Sequence, residues 1–240
     1  MRAIEFYSGI GGWNCAIQSV LGEGVHVVSA YDVNPAANAV YAINNHSTRP
    51  SAKSLEVVTA EELDAYRADI WMMSPPCQPH TRNNTTSKRD DTDPRSASFS
   101  NLINQLDRVK HPPQFIILEN VVGFETSKSC ADFLSQLCDR NYVYEQYIIS
   151  PIQCGVPNSR PRYYCLAWIP IEPNTAIHSD TMSTLFTDMP GVTSVEEVMT
   201  LDTYLEPADT DMVRISSPQL PCATTSSHNC YDFIIFRVRI

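Results

Sequence analysis

Ile4-Glu5-Phe6-Tyr7-Ser8-Gly9-Ile10-Gly11-Gly12-Trp13 is the stretch that decides the fold. A short strand-like run, Ile4 to Tyr7, breaks into a turn rich in glycine. After it Trp13, Ala16, Ile17, Val20 and Leu21 recur at the spacing of one helical face. A strand feeding a helix through such a turn is the opening unit of an α/β sheet.

Working outward, the same alternation repeats. Val25–Tyr31 reads as a second strand, ended by Asp32-Val33-Asn34-Pro35, where Asn34 suits a helix cap and Pro35 a first helical position. A helix is expected over Ala36–Asn44, and Thr59-Ala60-Glu61-Glu62 is a capping-box pattern opening another. Asp69–Met73 reads as a strand leading directly into Ser74-Pro75-Pro76-Cys77. The polar stretch His80–Ser98 reads as a long loop over the site. Helices are expected at Phe99–Lys110 and Cys130–Arg140, and strands at Phe115–Glu119, Tyr142–Ser150 and Tyr163–Ile169. Strands alternating with helices predict an α/β fold with a doubly wound, mostly parallel sheet. Past Pro170 the pattern gives way to Pro-, Thr- and Asp-rich sequence with one helical piece, Ser194–Met199. The expected organisation is a catalytic domain over residues 1–170 and a small region over 171–240.

The 240 residues suffice for one sizeable core. No apolar run approaches the roughly 18 residues of a membrane span, and the charged start does not resemble a signal peptide. The protein is read as cytoplasmic, with the nucleus a second compartment. Eight cysteines without a C-x-x-C pair indicate neither a zinc site nor a disulfide framework. The formal charge of −10 argues mildly against a nucleic-acid partner, but it is unevenly spread. Residues 1–170 hold 14 Lys/Arg against 17 Asp/Glu, whereas residues 171–240 hold 3 against 10.

Cys77, after Pro75-Pro76, and Glu119 pair a potential thiolate nucleophile with a carboxyl acid, which points to covalent chemistry on a pyrimidine ring. Carbon 5 of cytosine is a poor nucleophile until something adds to carbon 6, and a thiolate is well suited to that addition. A carboxylic acid must then meet ring nitrogen 3. Glu119 follows the apolar run Phe115-Ile116-Ile117-Leu118, so it is expected at the carboxyl end of a buried strand, where desolvation keeps it protonated. Gly9, Gly11 and Gly12 let backbone approach a ligand, although a tight strand-to-helix turn alone explains them equally well. Asp32 is placed to accept from ribose hydroxyls and Asp69 from an adenine amino group; each alone is also an ordinary cap or strand end.

Taken in order, Phe6-Tyr7-Ser8-Gly9-Ile10-Gly11-Gly12, Ser74-Pro75-Pro76-Cys77-Gln78-Pro79, Glu119-Asn120-Val121 and Gln153 through Arg162 resemble the successive motifs of the cytosine-5 methyltransferases. Thr81-Arg82, Val122-Gly123-Phe124-Glu125 and Pro157-Asn158-Ser159-Arg160 are similar to the eukaryotic tRNA branch. The resemblance covers about residues 1–169. It implies S-adenosylmethionine as cofactor, with its methionine end at Gly9, Gly11 and Gly12, its ribose at Asp32 and its base at Asp69 beside Phe6. Ser54, Leu55, Ile70 and Pro76 complete the implied pocket. Cys77, Glu119, Arg160 and Arg162 are the implied catalytic groups, and Gln78, Asn120 and Arg82 the implied substrate contacts. The implied partner is nucleic acid, an anticodon-loop cytosine of aspartate tRNA before duplex DNA, with no membrane.

Three departures stand against that pattern. His80 follows Pro79 where the tRNA branch has Phe, and Cys222-Ala223-Thr224 lacks the aromatic residue of its recognition signature. The sequence to Ile240 carries nothing like the family's closing motif. Region 171–240 is therefore expected to be a reduced, acidic target-recognition region. An impaired, methyltransferase-like binding protein is the alternative to an active enzyme.

Overall fold

Strand and helix alternate as the periodicities predict. The computed structural model describes residues 1–76, 94–171, 182 and 184–188. Among them lie β1 (Arg2–Phe6), α1 (Gly12–Leu21), β2 (His26–Tyr31), α2 (Pro35–Asn44), β3 (Pro50–Ser51), α3 (Ala60–Tyr66) and β4 (Ile70–Met73). After these come α4 (Pro94–Arg108), β5 (Phe115–Val121), α5 (Lys128–Asp139), β6 (Val143–Ile149), β7 (Arg162–Trp168) and β8 (Leu185–Phe186). The sheet order is β3-β2-β1-β4-β5-β7-β6-β8. Every pairing is parallel except the two made by β7, which runs antiparallel to both β5 and β6. This is the doubly wound, mostly parallel α/β sheet that the alternation predicts.

Successive strand residues point to opposite faces, and each face has its own core. On one, Ile4, Phe6, Trp71, Met73, Ile116 and Leu118 meet Leu63 of α3, Phe99 and Leu102 of α4, and Phe133 and Leu137 of α5. On the other, Ala3, Val27, Ile70, Met72 and Ile117 meet Trp13, Ala16 and Ile17 of α1. Each large side chain so buried stabilises the fold by about 1.5–3 kcal/mol. The helix starts are written locally: Asn34 accepts from the Ala36 and Ala37 N–H groups, Thr59 from Glu62 N–H, and Ser127 from Cys130 N–H.

Three readings change. The end of the long loop is helical, because α4 starts at Pro94, where a first turn wants proline and needs no apolar residue. Strand β5 continues past Glu119 to Val121, since antiparallel β7 pairs with it through Val121↔Arg162. Two-residue strands β3 and β8 flank the sheet, and β8 draws residues beyond 170 against β6. Cys77, Gln78, Arg82 and the expected helix 194–199 lie outside the described residues. Among those described, no helix is long and apolar enough to cross a membrane, and no group of three or more His, Cys, Asp or Glu could hold a metal ion.

Candidate active site

The carboxyl edge of the parallel strands gathers the chemistry, as open α/β sheets do. β1 delivers the glycine turn there, β2 delivers Asp32, β4 delivers Ser74-Pro75-Pro76, and β5 delivers Glu119 and Asn120. Because β7 is antiparallel, its first residue, Arg162, arrives at that same edge.

A cleft of about 270 Å³ opens between the ends of β1, β2 and β4, lined by Tyr7, Tyr31, Asp32, Val33, Lys53, Ser54, Leu55, Glu56, Pro76 and Ser98. Four residues expected at the cofactor, Asp32, Ser54, Leu55 and Pro76, are therefore brought together. Asp32 also builds the turn: its carboxylate accepts from Gly9 N–H at 2.8 Å and from Asn34 N–H at 2.8 Å. A Cβ on Gly9 or Gly12 would meet nothing within 4 Å, so the turn leaves open space above it. Gly11 serves packing instead, since its Cβ would sit 2.5 Å from Asn45 Nδ2 and 3.1 Å from the Tyr41 ring.

Three expected cofactor residues are elsewhere. Phe6 is fully buried, stacked on Tyr31 at 5.8 Å and edge-on to Trp71 at 5.2 Å, because a strand's alternation turns it into the core. Its neighbour Tyr7 faces the cleft. Asp69 precedes β4 at the opposite edge, where its carboxylate accepts from Arg2 N–H at 2.7 Å. The length of β4, about 13 Å, separates it from the cleft. Ile70 starts that strand and is 1% exposed in the core.

Whether the remaining residues suit a nucleoside carrying an amino-acid end is decided by the turn. Ser8 Oγ is buried there with no hydrogen-bond partner among the described residues. A buried hydroxyl left so is costly unless a ligand completes it. With the open space at Gly9 and Gly12, Asp32 on the cleft wall and the aromatic rings of Tyr7 and Tyr31 beside it, the residues present fit a nucleoside carrying an amino-acid end.

On the other side of Pro76 stands the acid. Glu119 Oε1 lies 3.2 Å from Arg162 Nε, each side chain 17% exposed. Burial raises the Glu119 pKa, while Arg162, the Ser74 hydroxyl and Arg160 pull it down; burial prevails. Asn120 is buried and donates to the Pro75 carbonyl at 3.2 Å, tying β5 to the turn that precedes Cys77. Arg160 is solvent-exposed, its backbone N–H held by Ser150 Oγ at 3.0 Å.

Sequence reasoning missed Glu5. It is fully buried beneath the glycine turn, accepting from Trp13 N–H at 3.1 Å and from the Tyr41 hydroxyl at 3.0 Å. Burial pushes its pKa up to about 8. A lone acid inside an apolar strand was the available signal.

Residues 1–216 match the family described as C-5 cytosine-specific DNA methylase. A Bos taurus tRNA (cytosine(38)-C(5))-methyltransferase is 42% identical over 174 residues, covering 72% of this chain and 44% of the relative. A Dictyostelium discoideum DNA (cytosine-5)-methyltransferase is 40% identical over 172 residues, covering 70% and 44%. A crystal structure of a Spodoptera frugiperda DNMT2 mutant is similar with a TM-score of 0.70 at 35% identity, covering 88% of this chain and 60% of that one. The chain spans about half the length of the curated relatives it matches.

Proposed function

This chain belongs to the C-5 cytosine-specific DNA methylase family, and from that premise we propose that it transfers methyl from S-adenosylmethionine to carbon 5 of a cytosine in RNA, an anticodon-loop cytosine of aspartate tRNA. The observation that carries this reading is the desolvated Glu119, bridged to Arg162 and set beside the turn that runs into Cys77. The tRNA substrate draws support from the name of the Bos taurus relative.

When bound, S-adenosylmethionine supplies an electrophilic methyl group. The Cys77 thiolate adds to carbon 6 and Glu119 passes its proton to nitrogen 3, so that electron density reaches carbon 5. Once carbon 5 is methylated, its proton passes to solvent as Cys77 is expelled as the thiolate, and nitrogen 3 returns its proton to Glu119, which restores the ring. Arg162 supports the carboxylate that Glu119 becomes, and Arg160, nearby and exposed, is free to meet the cytosine carbonyl or a phosphate. Gln78, Asn120 and Arg82 are assigned to the substrate. The domain division at residue 170 is retained as part of the same proposal.

Duplex DNA is the second reading, favoured by the name of the Dictyostelium relative. The test is transfer of labelled methyl to unmodified aspartate tRNA, with duplex DNA and Cys77→Ala protein run alongside. Cys77-dependent labelling of tRNA supports the proposal. Labelling of DNA alone replaces the substrate, and no labelling of either nucleic acid by a folded protein leaves an impaired, methyltransferase-like binding protein, which weak or absent S-adenosylmethionine binding by calorimetry would support.

A further inference from the structure

Between the glycine turn and the acid lies a connection that neither motif predicts. Trp13, the second residue of α1, is 3% exposed and uses both of its N–H groups. Its backbone N–H donates to Glu5, and its indole Nε1–H donates to Ser74 Oγ at 2.8 Å. Ser74 follows β4 one step past the Met73↔Leu118 pair, which sets it beside Glu119 on the same face of the sheet. An indole nitrogen can only donate, so Ser74 Oγ accepts from it and keeps its single hydrogen for another acceptor.

We propose that Ser74 is a positioning residue for the acid: the Trp13 indole fixes its oxygen, its hydrogen is directed onto the Glu119 carboxyl, and the acid's orientation is thereby tied to the helix that starts at the glycine turn. The inference rests on the reading of Glu119 as the proton donor. When the carboxyl gives its proton to nitrogen 3, a carboxylate remains, and the Ser74 hydroxyl is the uncharged donor that stabilises it. Ser74 is among the groups that hold the Glu119 pKa down against burial. Among the described residues, the charged groups facing Glu119 are Arg162 beside it and Arg160 ahead of it, both contributed by the β7 arm. From α1 and β4, among the described residues, come only the uncharged Trp13 and Ser74.

The test is an NMR titration of carboxyl-labelled glutamate, with the Glu119 signal assigned by its loss in Glu119→Gln. Ser74→Ala should raise the Glu119 midpoint by about one pH unit, the size expected for one lost hydrogen bond to the ionised form. Ser74→Thr, which keeps the hydroxyl, should restore it, and Trp13→Phe, which loses only the indole N–H, should move it in the direction of Ser74→Ala. A midpoint unmoved by both Ser74→Ala and Trp13→Phe overturns the proposal. The titration needs neither cofactor nor nucleic acid, so it fails independently of the enzymatic reading, which falls instead if Glu119→Gln leaves methyl transfer unchanged.

Discussion

At Glu119, burial and the Arg162 guanidinium act in opposite directions, and the balance decides which protonation state the site holds. Burial raises the carboxyl pKa more than its three polar neighbours lower it, so the protonated acid persists to higher pH than in an exposed glutamate. On the proposed mechanism, proton donation to nitrogen 3 requires that form, and addition to carbon 6 requires the Cys77 thiolate. The pH profile of kcat/KM should therefore be bell-shaped, with Glu119 setting the descending limb. A pH series of kcat/KM checks this, and a profile that keeps climbing with no descending limb would contradict it. Glu119→Gln removes the proton and should lower kcat by roughly a hundredfold or more while cofactor affinity, read by calorimetry, stays put. The acid was legible in the sequence because a carboxyl closing a strongly apolar strand has few structural reasons to be there. Its guanidinium partner at 3.2 Å was not, since Arg162 is 43 positions away and only antiparallel pairing brings it close.

The elements around the site are held by short local signals, and each can be broken singly. Gly11 sits at φ 97, a left-handed backbone that disfavours side chains, with Asn45 and Tyr41 filling the place of a Cβ. Gly11→Ala should cost about 1–3 kcal/mol of stability and weaken cofactor binding, because the strain falls on the turn itself. Asn34→Ala removes the cap of α2 and should cost about 1 kcal/mol, read as a lower urea midpoint. Caps, proline and glycine act through nearest neighbours, which is why the helix starts at Pro35 and Ala60 are readable without coordinates. Two-residue strands such as β3 are too short to carry a period of two, and a first turn without a large apolar residue, as in α4, carries no helical stripe.

On the scale of the whole molecule, the buried carboxyl of Glu5 links global stability to pH. Its pKa rises from 4.5 to about 8 on folding, so between those values the folded protein keeps a proton that the unfolded chain has lost. The sign follows: this contribution is fully present below the unfolded value and is lost as pH rises toward about 8. The urea midpoint should decline over that window, and Glu5→Gln, nearly isosteric and without a charge to bury, should flatten the decline; parallel curves for the two proteins would refute the linkage. By itself, the sequence determined the alternation of strand and helix, the doubly wound class, the glycine turn, and the order in which Asp32, Pro76, Cys77 and Glu119 are presented. Those follow from periodicity, capping and the rule that sites form at the carboxyl ends of parallel strands, all of which act over a few residues. Only the tertiary structure decided which neighbour faces the cleft. It turned Tyr7 toward the cleft and Phe6 into the core, put Asp69 at the far edge, closed Arg162 on Glu119, and set Trp13 against Ser74. Each of these depends on which face a strand presents and on which strand lies beside it, relations between segments far apart in the chain that no local pattern encodes.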